Sequence, residues 1–335
     1  MFIDAAYARL YSLCRNGLAL STPNPNVAAV ILDEYGEIIA GGFHNRQISP
    51  DHAEIVALRM AGPLASGATM VVSLEPCNHV GTTGPCTKAI IDAGISRVIY
   101  AVKDPNPIAA GGAQALSDAG IEVIYRESPE LEYIQRAWLH RMATGAPLMI
   151  WKIATTLDGK VAASDSTSQW ISGPESREDV QLLRAHSDAI LIGTNTAIVD
   201  NPHLVPRGHD NRPVRIICGE QEVPAGNKVF DDQARTVVVK SKDLSKLKSV
   251  LVEEGFNQVL IEAGPTFGSA LLKAGMVDEI VIYQAPKILG AGKSFIADLG
   301  ITTLEDHIGL ELISVEKMGN DVKSRYRVIK TGKGI

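Results

Sequence analysis

One stretch of the chain, from His52 to Cys86, holds residue types that could bind a metal and activate water. It contains His52, then Glu54 two residues later, then Cys77 and Cys86. One imidazole and two thiolates are ligands that a catalytic zinc ion accepts, with its fourth position left for water. Zinc lowers the pKa of that water, and a neighbouring carboxylate can then move its protons. The residue types therefore predict a hydrolytic zinc site in which His52 and the two cysteines bind the metal and Glu54 is the catalytic acid–base.

These residues must lie at the ends of helices for the prediction to hold. Side chains two positions apart point to opposite sides of a helix, so His52 and Glu54 cannot both lie inside regular turns and face one metal. The residues before His52 favour a helix that starts just after it, and Cys86 precedes a second helical run over 87–93. The alternative is a pair of buried structural cysteines and a surface histidine. Zinc nucleobase deaminases carry H-x-E followed by P-C and a further Cys, and this order favours the deaminase interpretation.

The composition bounds the class of protein. The chain of 335 residues is 45% hydrophobic and 21% charged, which suits a globular protein of two domains. A net charge of −6 and the lack of a Lys/Arg run argue against a nucleic-acid partner. No signal peptide or membrane-spanning run is recognisable, so we expect a cytoplasmic protein. Four cysteines do not make a disulfide framework, and Cys14 and Cys218 are expected to be inert core thiols.

Alternating helices and strands predict two α/β domains, 1–146 and 147–335, separated by the break in the helical pattern at 144–147. In the first, helices are predicted near 5–18 and 130–142, and strands near 27–32, 38–43, 70–74, 98–102 and 121–125. In the second, strands are predicted near 148–154, 189–192, 214–218, 236–239, 258–262, 277–285, 312–317 and 322–329, with helices near 175–186, 244–254 and 267–274.

The second domain carries one candidate phosphate site. A turn from Gly264 to Gly268 joins a strand to a helix, and its small residues would let backbone N–H groups approach a pyrophosphate. The same glycines could instead serve the backbone conformation of the turn, which is not a G-x-G-x-x-G motif. A second loop, 290–293, could add donors. Arg184 and Arg207 are candidates for a phosphate or carboxylate, although either alone could be an ordinary surface residue.

Taken together, these motifs resemble those of a known family, the bifunctional deaminase–reductases of riboflavin biosynthesis, nearly from end to end. The matching segments of the first half are 24–27 (NPNV), His44, 52–54 (HAE), 74–79 (LEPCNH), 84–86 (GPC) and 104–107 (DPNP). Those of the second half are Lys152, 156–160 (TLDGK), 168–171 (SQWI), 183–184 (LR), Thr196, 200–204 (DNPHL), Arg207 and 262–266 (EAGPT). The eight residues between the two cysteines, and the second half itself, distinguish this family from other cytidine-deaminase-like proteins.

The resemblance implies a fold and two activities. It implies an N-terminal cytidine-deaminase-like α/β/α sandwich and a C-terminal dihydrofolate-reductase-like α/β domain with a mostly parallel sheet. The first domain would bind one zinc ion and deaminate 2,5-diamino-6-ribosylamino-4(3H)-pyrimidinone 5′-phosphate. The second would use NADPH to reduce the ribosyl group to ribityl. The partners would be phosphorylated pyrimidines, not nucleic acid or membrane, and the chain would form a dimer or tetramer.

The resemblance also assigns binding residues by position. Substrate residues of the first domain would be Asn24, His44, His79, Asp104 and Asn106. Substrate residues of the second would be Lys152, Ser168, Arg184, Leu204, Arg207 and Glu262. NADPH would be bound by Ala154, Trp170, Thr196, Asp200, Gly264, Pro265, Thr266, Phe267, Gly268, Ser269 and Ala270.

The chain departs from the family pattern where the substrate phosphate is expected to bind. A Lys or Arg commonly stands where this chain has Thr82. Arg46, Arg59 or Lys88 could supply the missing charge.

Two other functions would share part of this pattern. A deaminase of the tRNA-adenosine type would share the zinc chemistry but should carry a basic surface, and it leaves the second half unexplained. A chain with one inactive domain serving as a nucleotide-binding scaffold would not need the catalytic residue types in both halves.

Overall fold

The computed structural model describes residues 2–80, 84–109 and 111–329, and it divides into two compact units, Met1–Gly145 and Ala146–Ile335. Each unit has its own sheet and its own apolar core. The division falls at the end of a helix, where Gly145 takes a left-handed conformation with φ of 72°. Glycine adopts that conformation at little cost and commonly ends helices in this way.

The first unit is built on a five-stranded sheet in the order β2-β1-β3-β4-β5. Strand β1 is antiparallel to β2 and β3, whereas β3, β4 and β5 are parallel. Its elements are α1 (Phe2–Gly17), β1 (Ala28–Leu32), β2 (Ile38–Phe43), α2 (Ala53–Ala61), β3 (Thr69–Val72), α3 (Cys86–Asp92), β4 (Arg97–Tyr100), α4 (Gly112–Asp118), β5 (Glu122–Tyr125) and α5 (Pro129–Thr144).

Helices cover both faces of this sheet. Every residue of β1 is buried, and successive side chains of a strand point to opposite faces, so neither face can be open to water there. Helix α1 packs against α5, and α2 packs against α3, which in turn packs against α4. The arrangement places α2 and α3, the two helices that begin beside the predicted metal ligands, next to each other.

The second unit is built on an eight-stranded sheet in the order β10-β9-β8-β11-β6-β12-β15-β14. The six strands from β10 to β12 are parallel to their neighbours, and β15 and β14 close the sheet in the antiparallel sense. Its elements are β6 (Leu148–Thr156), β7 (Lys160–Ala162), α6 (Pro174–Ala185), β8 (Ala189–Gly193), α7 (Thr194–Val199), β9 (Val214–Cys218), β10 (Thr236–Val239), α8 (Leu244–Glu253), β11 (Gln258–Ile261), α9 (Pro265–Lys273), β12 (Glu279–Ala285), β13 (Lys293–Ser294), β14 (Leu310–Met318) and β15 (Asp321–Val328).

The predicted fold class is confirmed, since the first domain is an α/β sandwich and the second sheet is mostly parallel. Cys14 and Cys218 are buried thiols as expected, and burial raises their pKa values to about 12 and about 11. The short elements α7, β7 and β13 were not predicted. They are two to six residues long, too short to produce a recognisable period. Within the described ranges, no helix is both long enough and apolar enough to span a membrane.

Helix α9 is seated on the sheet through a close contact that requires glycine. A Cβ atom added to Gly268 would lie 2.1 Å from a ring carbon of Trp151, whose side chain is completely buried on β6. The indole donates a hydrogen bond to the Ala263 carbonyl, 3.2 Å away, and this bond fixes the ring. Packing therefore explains why residue 268 is glycine. Packing does not explain Gly264, because an added Cβ there would have no atom within 4 Å.

Substituting Gly268→Ala should destabilise the protein by about 1–3 kcal/mol, because the added methyl group overlaps an indole that cannot move. The gain in helix propensity from alanine, about 1 kcal/mol, acts in the opposite direction and is smaller than a severe overlap. Denaturant unfolding of the variant and the parent measures the difference. Gly226→Ala is the matched control: its added methyl group meets open space and should change stability by less than about 0.5 kcal/mol. Equal stability of Gly268→Ala and the parent would contradict this packing account.

Candidate active sites

The structure brings His52, Cys77 and Cys86 together from three separate segments. The Nδ1 atom of His52 lies 3.2 Å from the sulfur of Cys86 and 3.5 Å from the sulfur of Cys77. All three candidate ligand atoms lie within 4.8 Å of one another. Within the part of the chain that the structure describes, this is the one group of three or more His, Cys, Asp or Glu side chains with that spacing.

Two helix starts produce this convergence. His52 is the residue before α2 and has an extended backbone, with φ of −72° and ψ of 162°, as the sequence predicted. Cys86 differs slightly from the prediction, because it is the first residue of α3 rather than the residue before it. The segment that carries Cys77 packs closely against the start of α4, since an added Cβ on Gly112 would lie 1.7 Å from the carbonyl oxygen of Pro76.

The three side chains fit a zinc ion. Tetrahedral coordination with Zn–N near 2.0 Å and Zn–S near 2.3 Å separates a nitrogen ligand from a sulfur ligand by roughly 3.5 Å. The two measured nitrogen–sulfur distances, 3.2 and 3.5 Å, are close to that separation. The neighbouring Cys86 thiol lowers the pKa of Cys77 well below its ordinary value, so the pair already favours a thiolate. Three such ligands leave the fourth position to water.

Glu54 faces the cluster from inside the protein. Its side chain is buried, and its Oε2 atom has no hydrogen-bond partner among the described residues. Burial raises the pKa of this carboxyl above its ordinary value. A buried polar atom without a partner is costly and calls for an explanation. A water molecule or substrate group held beside the metal would supply the missing partner.

His44 and Asn24 are in contact beside the cluster. The Nδ1–H of His44 donates to the Asp51 carbonyl, 2.7 Å away, so its Nε2 is left to accept from the Asn24 amide at 3.0 Å. The His44 ring meets the His52 ring edge-on, with centroids 5.4 Å apart. Burial lowers the pKa of His44, which keeps the ring neutral near pH 7. The two predicted substrate residues thus share one wall with a metal ligand.

The remaining predicted substrate residues of the first unit lie on two loops. Asp104 accepts from the Asn106 backbone N–H at 2.8 Å, and burial raises the pKa of its carboxyl. The charge of Asp104 also interacts with those of Cys77 and His79. The Nδ1 of His79 is buried and has no partner among the described residues. The position of Thr82, where the family pattern expects a cation, lies outside the described residues.

The second unit has a buried group of charges centred on Glu262, which directly follows β11. Arg184 on α6 donates to both carboxylate oxygens, at 2.5 and 3.0 Å, and Lys152 on β6 lies 3.1 Å from one of them. Burial opposes ionisation of Glu262, but the charges of Arg184 and Lys152 outweigh it and hold the pKa of this carboxyl far below its ordinary value. Lys152 also acts on Asp200, where its charge partly offsets the burial that raises the pKa of Asp200.

Arg184 binds a carboxylate, one of the two kinds of group that the sequence suggested for it, and this carboxylate belongs to the protein itself. Two of its N–H groups are used by Glu262, so it orients that carboxylate rather than presenting a free guanidinium fork. Leu204 is buried and has a left-handed backbone, with φ of 60°. Ser168 and Arg207 are exposed. The backbone N–H of Arg207 donates to the buried Gln181, a contact that no sequence motif indicated.

The structure divides the predicted cofactor residues of the turn before α9 into exposed and inward-facing ones. Gly264 and Thr266 lie at the open helix start, and Pro265 lacks an N–H group. Gly268 packs on Trp151, and the Ser269 hydroxyl accepts the Ala297 N–H at 2.9 Å, so both face inward. The predicted NADPH residues here are Gly264, Pro265, Thr266, Phe267, Gly268, Ser269 and Ala270, and only the exposed or half-buried ones, Gly264, Thr266, Phe267 and Ala270, present atoms to a ligand.

The other predicted cofactor residues occur near the ends of parallel strands. Ala154 is on β6, Thr196 is in α7 directly after β8, and Asp200 ends α7. The Trp170 side chain is 64% exposed and stacks with Arg177, whose guanidinium carbon lies 4.9 Å from the ring centroid. The carboxyl edge of parallel strands is where open α/β sheets bind ligands.

The loop 290–293 is used by the fold itself. Gly290 donates its backbone N–H to Asp158 at 2.7 Å, and Leu289 donates to the same carboxylate. A Cβ on Gly292 would lie 2.3 Å from the Ala162 carbonyl, so that glycine lets the loop approach β7. Contacts within the fold therefore account for the glycines of this loop, without a role in binding phosphate.

Comparison with known proteins links both sites to one family. Residues 147–324 match the RibD C-terminal domain, and residues 5–102 match the cytidine and deoxycytidylate deaminase zinc-binding region. Riboflavin biosynthesis protein RibD from Mycobacterium tuberculosis (strain ATCC 25618 / H37Rv) is 41% identical over 309 residues, which cover 90% of each chain. The protein of the same name from Escherichia coli (strain K12) is 37% identical over 355 residues, which cover 94% of this chain and 96% of that one.

Solved structures agree over the whole chain. A diaminohydroxyphosphoribosylaminopyrimidine deaminase/5-amino-6-(5-phosphoribosylamino)uracil reductase from Thermotoga maritima is 30% identical, with a TM-score of 0.89, and the match covers 98% of this chain and 99% of that one. Acinetobacter baumannii RibD is 33% identical with a TM-score of 0.86, covering 98% and 100%.

The metal site predicts a zinc content of about one ion per chain, which metal analysis of the purified protein measures. Cys86→Ala should lose most of the zinc because it removes one of three protein ligands. Cys218→Ala is the control, since it removes an equally buried thiol from the other unit and should keep the metal. Retention of a full zinc ion by Cys86→Ala would contradict the assignment of the ligands.

Proposed function

Because this chain belongs to the RibD family of riboflavin biosynthesis proteins, a bifunctional family with a zinc-dependent deaminase domain and an NADPH-dependent reductase domain, we propose that it catalyses two successive reactions on one phosphorylated pyrimidine. Residues 1–146 would hydrolyse the exocyclic amine of 2,5-diamino-6-ribosylamino-4(3H)-pyrimidinone 5′-phosphate. Residues 147–335 would then reduce the ribosyl group of the product to ribityl. The observation that supports the first step most directly is the buried carboxylate of Glu54 beside the group formed by His52, Cys77 and Cys86.

In the deaminase, His52, Cys77 and Cys86 would hold the zinc ion. Bound zinc supplies a polarised water molecule at neutral pH. Glu54 takes a proton from the attacking water and gives it to the amine as the carbon–nitrogen bond breaks and ammonia leaves. Its raised pKa suits a group that must both accept and donate a proton near pH 7.

Asn24 and His44 would hold the pyrimidine against this site. The Asn24 amide is oriented by its hydrogen bond to His44, and His44 is oriented by the Asp51 carbonyl. Such a chain of contacts fixes the polar groups before substrate binds, so little ordering is left to the binding step. Asp104, Asn106 and His79 lie on the neighbouring loops and would contact the ring and ribose.

In the reductase, the residues around Glu262 would position substrate and a positive charge. NADPH supplies the hydride, which goes to C1′ of the ribose. The ribose ring oxygen leaves C1′ and becomes a hydroxyl, so it gains negative charge that must be neutralised by a proton or a cation. Lys152 is held by Glu262 and lies close enough to Asp200 for its charge to act there. Its ammonium group would neutralise the negative charge that develops on the ribose ring oxygen. Arg184 would orient Glu262, while Ser168, Leu204 and Arg207 would contact the substrate.

The NADPH would lie along the strand ends that carry Ala154, Thr196 and Asp200, with its phosphates at the start of α9. Trp170 would cover it from the side. This placement follows the rule that open α/β sheets bind nucleotides at the carboxyl ends of parallel strands. A close approach of the pyrophosphate would account for the glycine at position 264, where an added Cβ would meet no protein atom within 4 Å.

We also propose that the protein acts in the cytoplasm as a homodimer or homotetramer and does not bind nucleic acid. The net charge of −6 supports the last point, because phosphate backbones are bound by clustered cations. The four cysteines, all free thiols, suit a reducing compartment.

Glu54→Gln should abolish ammonia release, with a loss of at least about 100-fold, because the amide keeps the shape of the side chain but cannot carry the proton. The assay follows ammonia and NADPH separately with the pyrimidine substrate. The variant should keep its zinc, and it should still oxidise NADPH when it is given the deaminated product. If ammonia release remains fast, Glu54 is not the proton carrier. If NADPH is consumed without any deaminated substrate, the proposed order of reactions is wrong.

A further inference from the structure

The loop between the two cysteine ligands leaves the substrate phosphate without a cation. Residues 78–85 read NHVGTTGP and contain no Lys or Arg. A phosphate monoester carries nearly two negative charges at pH 7, and proteins hold such groups with charge-assisted hydrogen bonds, most often from Arg. If the deaminase acts on a ribosylamine 5′-phosphate, as the proposed function requires, a cation that binds the phosphate has to come from outside this loop.

Two of the nearby cations are already paired. Arg59 on α2 donates to the Asp51 carboxylate at 2.6 Å. Asp51 also accepts the Ser49 hydroxyl and presents its carbonyl to His44, so releasing Arg59 would disturb the wall of the pocket. Lys88 on α3 forms an exposed ion pair with Asp92, one helical turn further along, at 2.8 Å. Neither side chain is placed to receive a substrate phosphate.

Arg46 is differently placed. It lies two residues after His44, in the turn that follows β2, and its backbone N–H donates to the Leu20 carbonyl at 3.0 Å. That bond ties the turn to the segment carrying Asn24, whose amide contacts His44. Arg46 and the pair formed by Asn24 and His44 are thus joined through one turn of the backbone. The side chain is exposed, and no carboxylate within residues 2–80, 84–109 and 111–329 forms an ion pair with it.

We propose that Arg46 binds the 5′-phosphate of the deaminase substrate in this chain. The pyrimidine must lie against the metal cluster, where Asn24 and His44 can hold it. The ribose separates the ring from the phosphate, so the phosphate lies further toward solvent than the ring, and Arg46 is an exposed cation in the turn just after His44, unpaired among the described residues. The planar guanidinium offers two parallel N–H groups to two phosphate oxygens, which a lysine cannot do.

The test compares deamination of the phosphorylated substrate with deamination of the same riboside lacking the phosphate. Arg46→Ala should raise KM for the phosphorylated substrate about 10- to 100-fold with little change in kcat, as expected for loss of a charged hydrogen-bond donor that acts equally before and during reaction. With the phosphate-free riboside, Arg46→Ala and the parent should have the same KM. Arg46→Lys should fall between the two, because it keeps the charge and loses the fork.

Lys88→Ala is the matched control, since it removes a nearby exposed cation from the same domain and should change neither KM by more than about twofold. Zinc content and thermal unfolding of each variant report whether the domain is intact. An unchanged KM in Arg46→Ala, equal losses on both substrates, or an equal loss in Lys88→Ala would each overturn the assignment. A parent protein that releases no ammonia would overturn the proposed function as well, whereas an active parent with an unaffected Arg46→Ala overturns the phosphate assignment alone.

Discussion

The deaminase half depends on bringing two thiols, one imidazole and one buried carboxylate to a single point. None of these groups can be buried alone without cost: a charged carboxylate loses its hydration, and thiolates placed side by side repel each other. A divalent cation removes both penalties by binding the thiolates and by drawing water or substrate toward the carboxylate. The sheet serves this requirement by setting α2 and α3 side by side, so that His52 and Cys86 both lie at the start of a helix. The Oε2 atom of Glu54 is buried and has no protein partner in the described ranges. This atom is the clearest indication that a water molecule or a substrate group binds beside the cluster.

The second half meets a similar requirement with protein charges alone. Glu262 is buried at the end of β11, and Arg184 and Lys152 compensate its charge from α6 and β6. Removing one partner from such a group leaves an uncompensated buried charge, which is strongly destabilising. The arrangement therefore fixes the position of Lys152, the cation that the proposed reduction uses. Helix α6 is itself anchored by polar contacts: Asp321 accepts from Ser176 and from the backbone of Gly173, and the Tyr283 hydroxyl donates to Asp179.

Much of the fold was readable from the sequence because the strands are apolar runs bounded by turn residues. Strands β2 and β9 begin and end where the pattern placed them, and the helix start at His52 followed from a simple geometric argument. Contacts that join distant segments were not readable. Arg184 pairs with Glu262, which lies 78 positions further along the chain. No local sequence pattern distinguishes an arginine in such an ion pair from an arginine that binds a phosphate. The roles of Gly268 and Gly112 were missed for the same reason, since each glycine is required by close contact with a single remote residue.

The most direct test of the account is the zinc coordination sphere, measured by X-ray absorption spectroscopy on the purified, metal-loaded protein. The account predicts two sulfur neighbours at about 2.3 Å and one imidazole nitrogen at about 2.0 Å, with a light atom from solvent completing the sphere. His52→Ala should lose the imidazole contribution, and Glu54→Gln should leave the spectrum unchanged because that carboxylate does not bind the metal. The account would be contradicted by four sulfur neighbours, by the absence of any sulfur neighbour, or by a change of the spectrum in Glu54→Gln.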